Sequence, residues 1–313
     1  MTMHETINSR FPVRKTGKQK ENFRHWVLEK SAEMGYAAKV EKGRMICQNH
    51  NVIIGDPEKA QVIVTAHYDT PAVMPIPNFI TPVNVPVYLA YQLVVVATFF
   101  AVTFLLNWVT RSFGWNFEVR YWLSLGLCMT LMMLMIAGPA NRHNANDNTS
   151  GVAAVIQLMA QLPEQMRDRA AFILFDNEEK GMLGSMSYAG RHKQIRKEKL
   201  LINLDCVGVG ENILFFTPKK TRALPAYQQL QTAMQLQQEK SMHFYAAEKC
   251  VYPSDQAQFT HGIAVCTCEK GKRIGYYCSR IHTPNDTRCD QLCLDALANG
   301  LQQFILMERK EAS

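Results

Sequence analysis

The chain lacks charge over long stretches. No Asp, Glu, Lys, Arg or His occurs from Thr70 to Thr110, a run of 41 residues, and none from Tyr121 to Asn141, a further 21, although 19% of the chain is charged. It lacks cysteine pairs at metal-finger spacing. Nine cysteines are scattered, Cys266 and Cys268 being separated by one residue and Cys289 and Cys293 by one helical turn. That excludes a structural thiolate zinc site, and an odd scattered set fits a reducing compartment. Met1 to Val13 contains no apolar core of a leader, so no secretory signal is expected and the bulk of the chain is placed in the cytoplasm. Internal repeats, low-complexity segments and nucleic-acid motifs are absent. The basic clusters Arg14, Lys15, Lys18, Lys20 and Arg191, Lys193, Arg196, Lys197, Lys199 read as solvated faces, with attraction to an anionic membrane leaflet as the alternative. No nucleic-acid partner is expected.

What is present is globular. At 47% hydrophobic and 10% aromatic over 313 residues, the chain can bury a sizeable core, and disordered, collagen-like and coiled-coil classes fall away. A mean hydropathy of −0.15 excludes a membrane bundle throughout. Residues 18–34 carry Phe23, Trp26, Val27 and Ala32 near helical spacing, ended by Gly35. Met45–Cys47 and Asn51–Ile54 read as short strands. Three nearly continuous apolar runs, 62–66, 171–175 and 200–204, have strand length and β-forming composition, as in strands buried on both faces. Helical patterns occupy 151–162, stopped by Pro163, and the C-terminal stretch bearing Leu292, Leu297, Leu301, Phe304 and Ile305. The alternation predicts an α/β fold: a three-layer α/β/α sandwich around a mixed, largely parallel central sheet.

Each apolar run ends in metal-type ligands. The first is followed by His67-Tyr68-Asp69, the second by Asp176-Asn177-Glu178-Glu179, the third by Asp205. Sites in open α/β sheets form outside the carboxyl ends of the strands, so these groups should converge. Asn146-Asp147-Asn148-Thr149-Ser150-Gly151, opening a helix, and His282-Thr283-Pro284-Asn285-Asp286 match them in chemistry. Imidazole with carboxylate and no thiolate suits a catalytic divalent ion such as zinc. The surplus of carboxylates suggests two ions with one carboxylate bridging.

Taken together, His-x-Asp, Asn-Asp-Asn-x-Ser-Gly, Glu-Glu-x-Gly-x-x-Gly-Ser (Glu178 to Ser185), Leu-Asp-x-Val-Gly and His-Thr-Pro-x-Asp-Thr resemble the co-catalytic zinc exopeptidases of the aminopeptidase S, aminopeptidase Y and glutamate carboxypeptidase type, over about residues 18–82 and 138–310. The resemblance implies that His67 and Asp205 bind one Zn2+, Glu179 and His282 a second, and Asp147 both. It implies that Asp69 orients His67 and that Glu178 is the general base. Ser254-Asp255-Gln256 is similar to a Ser-Asp-His stretch lining the family's substrate pocket, with Gln256 in place of the His. Asp255 is therefore a candidate substrate-binding residue. Tyr276 and Tyr277 are candidates for the same role, or for steadying the oxyanion, with hydrophobic packing as the alternative. The reaction implied is hydrolysis of the N-terminal bond of a peptide substrate. Carboxypeptidase or acyl-amino-acid amidase action remains open, with Arg273 and Arg280 near His282 in sequence. So do a mono-zinc acyltransferase of the glutaminyl cyclase type, which drops some ligand positions, and a non-catalytic scaffold.

In that family the His-x-Asp segment and the bridging Asp lie a short loop apart; here they are 80 positions apart. The excess contains both charge-free runs. Val87–Val109 is long enough as a helix to cross a bilayer, and 121–137 sits at the short limit. A short loop, 110–120, would join them. Trp108, Trp115, Tyr121 and Trp122 cluster at the loop end, and Tyr88 and Tyr91 at the other, as in interfacial belts. The expectation is a catalytic domain of 1–82 and 140–313 carrying an inserted hydrophobic helical hairpin, 83–139. The hairpin would be a two-span membrane anchor holding the catalytic domain at the cytoplasmic face of the membrane. The alternative is a soluble cytoplasmic protein whose hairpin is buried in a homodimer or lies as a lid.

Overall fold

A computed structural model describes residues 1–74 and 76–307. Among the described residues, eight strands form one sheet: β1 Ala38–Arg44, β2 Gln48–Ile54, β3 Val62–His67, β4 Ala170–Phe175, β5 Leu200–Leu204, β6 Asn212–Thr217, β7 Ser241–Ala246 and β8 His261–Gly271, with β9 Gly275–Tyr277 paired to the end of β8. The order is β1-β2-β4-β3-β5-β8-β6-β7. The central strands β4, β3, β5 and β8 run parallel, as do β6 and β7; β1, β2 and the β6–β8 pair are antiparallel. The sheet is thus mixed and largely parallel, as expected.

Helices α1 Met3–Arg10, α2 Gly17–Glu33, α3 Val85–Ser112, α4 Phe117–Ala137, α5 Gly151–Gln161, α6 Leu183–Arg191, α7 Lys193–Glu198, α8 Lys219–Arg222, α9 Pro225–Gln235 and α10 Gln291–Leu306 complete the fold. Side chains alternate across the central strands because the strand period is two. Val62, Val64, Ala66, Phe172, Leu174, Leu200 and Ile202 enter the larger core beneath α2, α5, α9 and α10. Ile63, Ala171, Ile173, Phe175 and Leu201 enter a second core with Tyr188, Ala189 and Ile195 of α6 and α7. Each Val, Leu, Ile or Phe among them contributes roughly 1.5–3 kcal/mol on full burial.

Several local expectations are corrected. Met45–Cys47 is not a strand but the turn joining β1 to β2. Its apolar residues are not core: Met45 is exposed, and Ile46 is 87% exposed. The N-terminal segment forms α1 behind a capping box of Thr2 and Glu5. The loop of the long hairpin is shorter than 110–120, because α3 runs to Ser112 and α4 begins at Phe117 behind the Asn116 cap. Strands β6 to β9 lie beyond the three expected apolar strands, and Ile213–Phe216 and Ile263–Cys268 are apolar runs of the same kind.

α3 and α4 pack against each other as their principal partner. Both are long and apolar enough to cross a membrane, and none of the most hydropathic stretch of either is buried. Phe100, Phe104 and Leu93 face outward. The segments flanking the hairpin are joined to each other by an Ala72–Ala140 bridge, and the first of them to the segment after β9 by an Ile80–Cys278 bridge.

Candidate metal centre

The parallel strands β4, β3 and β5 deliver their carboxyl ends side by side, bringing Glu178–Glu179, His67 and Asp205 to one edge. Asp147 reaches the same place from the segment before α5, and His282 from the segment before α10. Nε2 of His67 lies 3.4 Å from Asp147 Oδ1 and 3.6 Å from Asp205 Oδ1. Nε2 of His282 lies 3.0 Å from Asp147 Oδ2 and 3.4 Å from Glu179 Oε2. The two sets, His67–Asp147–Asp205 and Asp147–Glu179–His282, each offer donor atoms within 4.8 Å of one another and share Asp147. Glu178 falls in a third group with His67 and Glu179.

The backbone that carries Asp147 is held by its neighbours. Asn148 donates to Leu204 O at 2.9 Å and accepts from the N–H groups of Gly151 and Cys206. Asn146 Oδ1 accepts from Gly208 N at 2.7 Å, and Ser150 Oγ accepts from Val207 N. Gly151 is required because a Cβ there would stand 2.3 Å from Leu204 O. The motif thereby laces the start of α5 to the segment after β5. Asp286 accepts from the N–H of Asn146 at 2.8 Å and of Asp147 at 3.0 Å. The sequence alone does not mark Asp286 for this role. Its position four residues after His282 was visible, but its partners are 139 and 140 residues away and only the fold joins them.

Asp69 sits behind the cluster. Its carboxylate accepts from the backbone N–H of Glu178 at 3.0 Å and of Glu179 at 3.3 Å, and lies 3.7 Å from His67 Nδ1. Burial alone would raise its pKa; His67, Lys20 and the Glu178 N–H outweigh burial and hold it below the ordinary value. In the same way, burial opposes ionisation of Asp147, and the two imidazoles pull its pKa down. Glu178 and Glu179 go the other way. Burial pushes both well up, helped for Glu178 by Asp255, Asp205 and Asp69 and for Glu179 by Asp147 and Glu178.

Two cations read as solvated are buried instead, a correction to the surface reading of the first basic cluster. Arg14 is fully buried. Its guanidinium donates to Tyr68 O, to Phe11 O at 2.8 Å and to Thr149 Oγ1 at 3.1 Å, and it stacks over Phe23. Lys20 donates to Asp176 Oδ1 at 2.6 Å and Asn177 Oδ1 at 2.7 Å. An acid-rich buried cluster needs opposite charge near it, and Arg14 feels both Asp69 and Asp147.

The donors fit divalent ions. Two ligands at about 2.1 Å in tetrahedral array stand about 3.4 Å apart, the spacing seen here between imidazole and carboxylate. Glu179 Oε1 is buried with no hydrogen-bond partner, an orphan that a cation would satisfy. Asp255 is fully buried close behind Glu178; neither of its oxygens meets a donor in good geometry, although Ser185 is near. Burial lifts its pKa to about 7. Gln256 is turned away, donating to Tyr252 O and accepting from Asn203. Tyr276 and Tyr277 stand on β9, with their contacts running elsewhere: Tyr276 to His243 and Tyr245, Tyr277 to Phe79 near the hairpin foot.

Residues 132–302, more than half of the chain, match peptidase family M28. The chain belongs to that family of metallopeptidase fold. Among solved structures, the fold is similar to Bacteroides thetaiotaomicron glutaminyl cyclase (TM-score 0.60, 16% identity, 98% of this chain and 97% of that one). It is similar to a leucine aminopeptidase precursor from Bacteroides thetaiotaomicron (TM-score 0.58, 15% identity, 98% and 97%) and to the Legionella pneumophila LapA aminopeptidase (TM-score 0.55, 12% identity, 97% and 69%). No curated protein matches the chain.

Proposed function

We propose that the chain is a di-zinc aminopeptidase anchored in a membrane by α3 and α4, hydrolysing the N-terminal bond of peptides at the cytoplasmic face. The observation that carries the chemistry is the pair of donor sets joined through Asp147, with every one of His67, Asp147, Glu179, Asp205 and His282 in place. His67 and Asp205 would hold one ion, Glu179 and His282 the other, Asp147 both. When bound, such ions polarise a carbonyl and acidify water. Glu178, outside both sets that share Asp147, is the base. It accepts a proton at its carboxylate and delivers it to the leaving amine nitrogen. Asp69 orients His67 and, through the two backbone N–H groups, fixes the Glu178–Glu179 turn. Asp255, buried close to Glu178, would be the carboxylate that pairs with a substrate α-ammonium.

The hairpin supports anchoring by its dimensions. From Tyr88 to Trp108 is about 30 Å of helix, the thickness of a hydrocarbon core, with aromatic residues at both limits. Outward apolar side chains such as Phe100 and Phe104 need a cover, and two spans return the chain to the side from which it left.

A cyclase reading rests on the likeness to glutaminyl cyclase structures; it would need only one donor set, and the second argues against it. The deciding assay is release from aminoacyl-naphthylamides, with N-blocked substrates as controls, each with and without chelator. Chelator-sensitive cleavage of free amines alone is expected. Cleavage of blocked substrates removes the aminopeptidase assignment. Ammonia release from an N-terminal glutaminyl peptide, without hydrolysis, establishes the cyclase.

A further inference from the structure

A cleft of about 620 Å³ is lined in part by Asp176, Asn177 and Lys180, which flank Glu178 and Glu179 in the chain. Lys15, Lys20, Arg24, Lys42 and Lys180 line it, with Glu21 and Asp176 as the acids. Lys20 and Asp176 are paired to each other at 2.6 Å. Four cations then face one remaining carboxylate, Glu21. Nothing in the hydrolytic mechanism uses this concentration of positive charge. The field is felt locally: the imidazole of His50 in the cleft wall is held below its ordinary pKa by burial and by Arg24, Lys42 and Lys20.

Position identifies what the cleft faces. Lys15 donates to the carbonyl oxygen of Ile136, at the last turn of α4, at 2.9 Å, so one wall is fastened to the foot of the apolar hairpin. Lys42, Cys47 and Gln48, which also line the cleft, belong to the end of β1, the turn and the start of β2. Because β2 runs antiparallel to β4, the β1–β2 turn projects at the same edge of the sheet as the catalytic carboxyl ends. That turn presents Met45 and Ile46 to the outside, with Arg44 beside them. A basic cleft between an apolar helical foot and an apolar turn tip matches a lipid interface, where apolar groups enter the acyl boundary and cations meet headgroup phosphates.

We infer that this cleft binds the phosphate of an anionic phospholipid headgroup, with Lys15, Arg24, Lys42 and Lys180 as its cationic partners, seating the catalytic body against the leaflet from which the hairpin leaves. The inference rests on the membrane-spanning reading of α3 and α4. Arg24 is pre-positioned by donating to the Tyr68 hydroxyl at 2.9 Å. Asn177 and Lys180 belong to the turn bearing Glu178 and Glu179, so an occupied cleft would hold that turn in place from behind. Lipid binding and turnover are thereby coupled through a shared segment.

The test uses the full chain in a non-ionic detergent and titrates three probes by thermal shift and calorimetry: dihexanoyl phosphatidylglycerol, dihexanoyl phosphatidylcholine and inorganic phosphate. The expected result is binding of the phosphatidylglycerol at least tenfold tighter than of the phosphatidylcholine, weakened by salt. The Lys42→Gln/Lys180→Gln double variant, both residues being exposed, should lose on the order of thirtyfold in affinity while its unliganded melting temperature stays unchanged. Equal binding of the two lipids, or an unaffected double variant, overturns the inference. Inorganic phosphate binding as tightly as phosphatidylglycerol also overturns it, since the cleft would then serve a free anion. Selective competition by a triglutamyl peptide overturns it in favour of an acidic-substrate subsite. Detergent removal separates the two readings. A chain that stays monodisperse without detergent refutes spanning and the lipid site together, whereas a detergent-dependent chain with no lipid preference refutes the lipid site alone.

Discussion

Replacing Glu178 by Gln exchanges one carboxylate for an amide of the same shape, in a place where the backbone does not depend on it. The N–H of Glu178 donates to Asp69 whichever side chain is present, so the turn and the five proposed ligands keep their positions. Two consequences of opposite sign follow. A positioned general base supplies typically 10²–10⁴ in rate, so kcat should fall by that factor, about 3–5 kcal/mol of barrier, with metal content unchanged. Stability should move the other way. Burial raises the Glu178 pKa, and Asp255, Asp205 and Asp69 add to that, so ionised Glu178 is a destabilising charge in the metal-free protein. Its native pKa exceeds its unfolded one, and the loss of stability it causes grows as pH rises above the unfolded value of about 4.3. The chelated Gln variant should therefore melt higher than the chelated wild type at pH 7, with the difference vanishing near pH 4. The assays are naphthylamide turnover, metal analysis after dialysis, and melting with and without chelator. Turnover within threefold of wild type refutes the base assignment. Loss of metal together with activity places Glu178 among the ligands, in the group it forms with His67 and Glu179.

Asp147→Asn, acting on the one residue shared by both donor sets, should reduce bound metal below one ion per chain, whereas Asp205→Asn should spare the Glu179–His282 position; metal analysis distinguishes these. Lys20→Met leaves Asp176 buried without its cation and should cost about 3–5 kcal/mol, read from urea midpoints; a cost below 1 kcal/mol would show that water reaches Asp176. Asp290 caps α10 through the N–H of Leu292 and pairs with Lys240 at 2.6 Å. Burial opposes its ionisation, and these partners overcome it and depress its pKa. Its contribution is complete above the unfolded pKa of about 3.9 and lost as pH falls through the lower native value. The destabilisation caused by Asp290→Asn should be present at pH 7 and shrink below pH 4. Replacing 85–137 by a short Gly/Ser linker should give a chain that purifies without detergent and still binds metal, because Ala72–Ala140 pairing holds the cut ends near each other; aggregation of that variant would show that the hairpin supports the catalytic fold.

Much of the architecture was written locally. The runs 62–66, 171–175 and 200–204 are strands because a sequence buried on both faces is apolar at every position, and each stops where polar ligands begin. The hairpin was equally plain, since tens of residues without charge have few soluble explanations. Met45-Ile46 misled for the complementary reason: apolarity marks removal from water, and a turn tip that is exposed in the isolated chain carries the same signal as a strand. Arg14 and Lys20 misled because charge signals water unless buried polar or acidic partners are waiting, and all of their partners but Phe11 lie 54 to 157 residues away.

By itself, then, the sequence determined which residue types could carry the chemistry, that they follow strand ends or open helices, and that an apolar segment lies between Asp69 and Asp147. Only the tertiary structure decided which donor side chains stand within reach of one another. The 3.0–3.6 Å spacings around Asp147 arise from strand order and register, and the grip of Asp286 and Arg14 arises from segments far apart in the chain. Side-chain type is a local property of the sequence, whereas adjacency across a parallel sheet is set by long-range pairing. The charge-free run could be recognised from composition; that its foot meets Lys15 and a basic cleft depended on the fold.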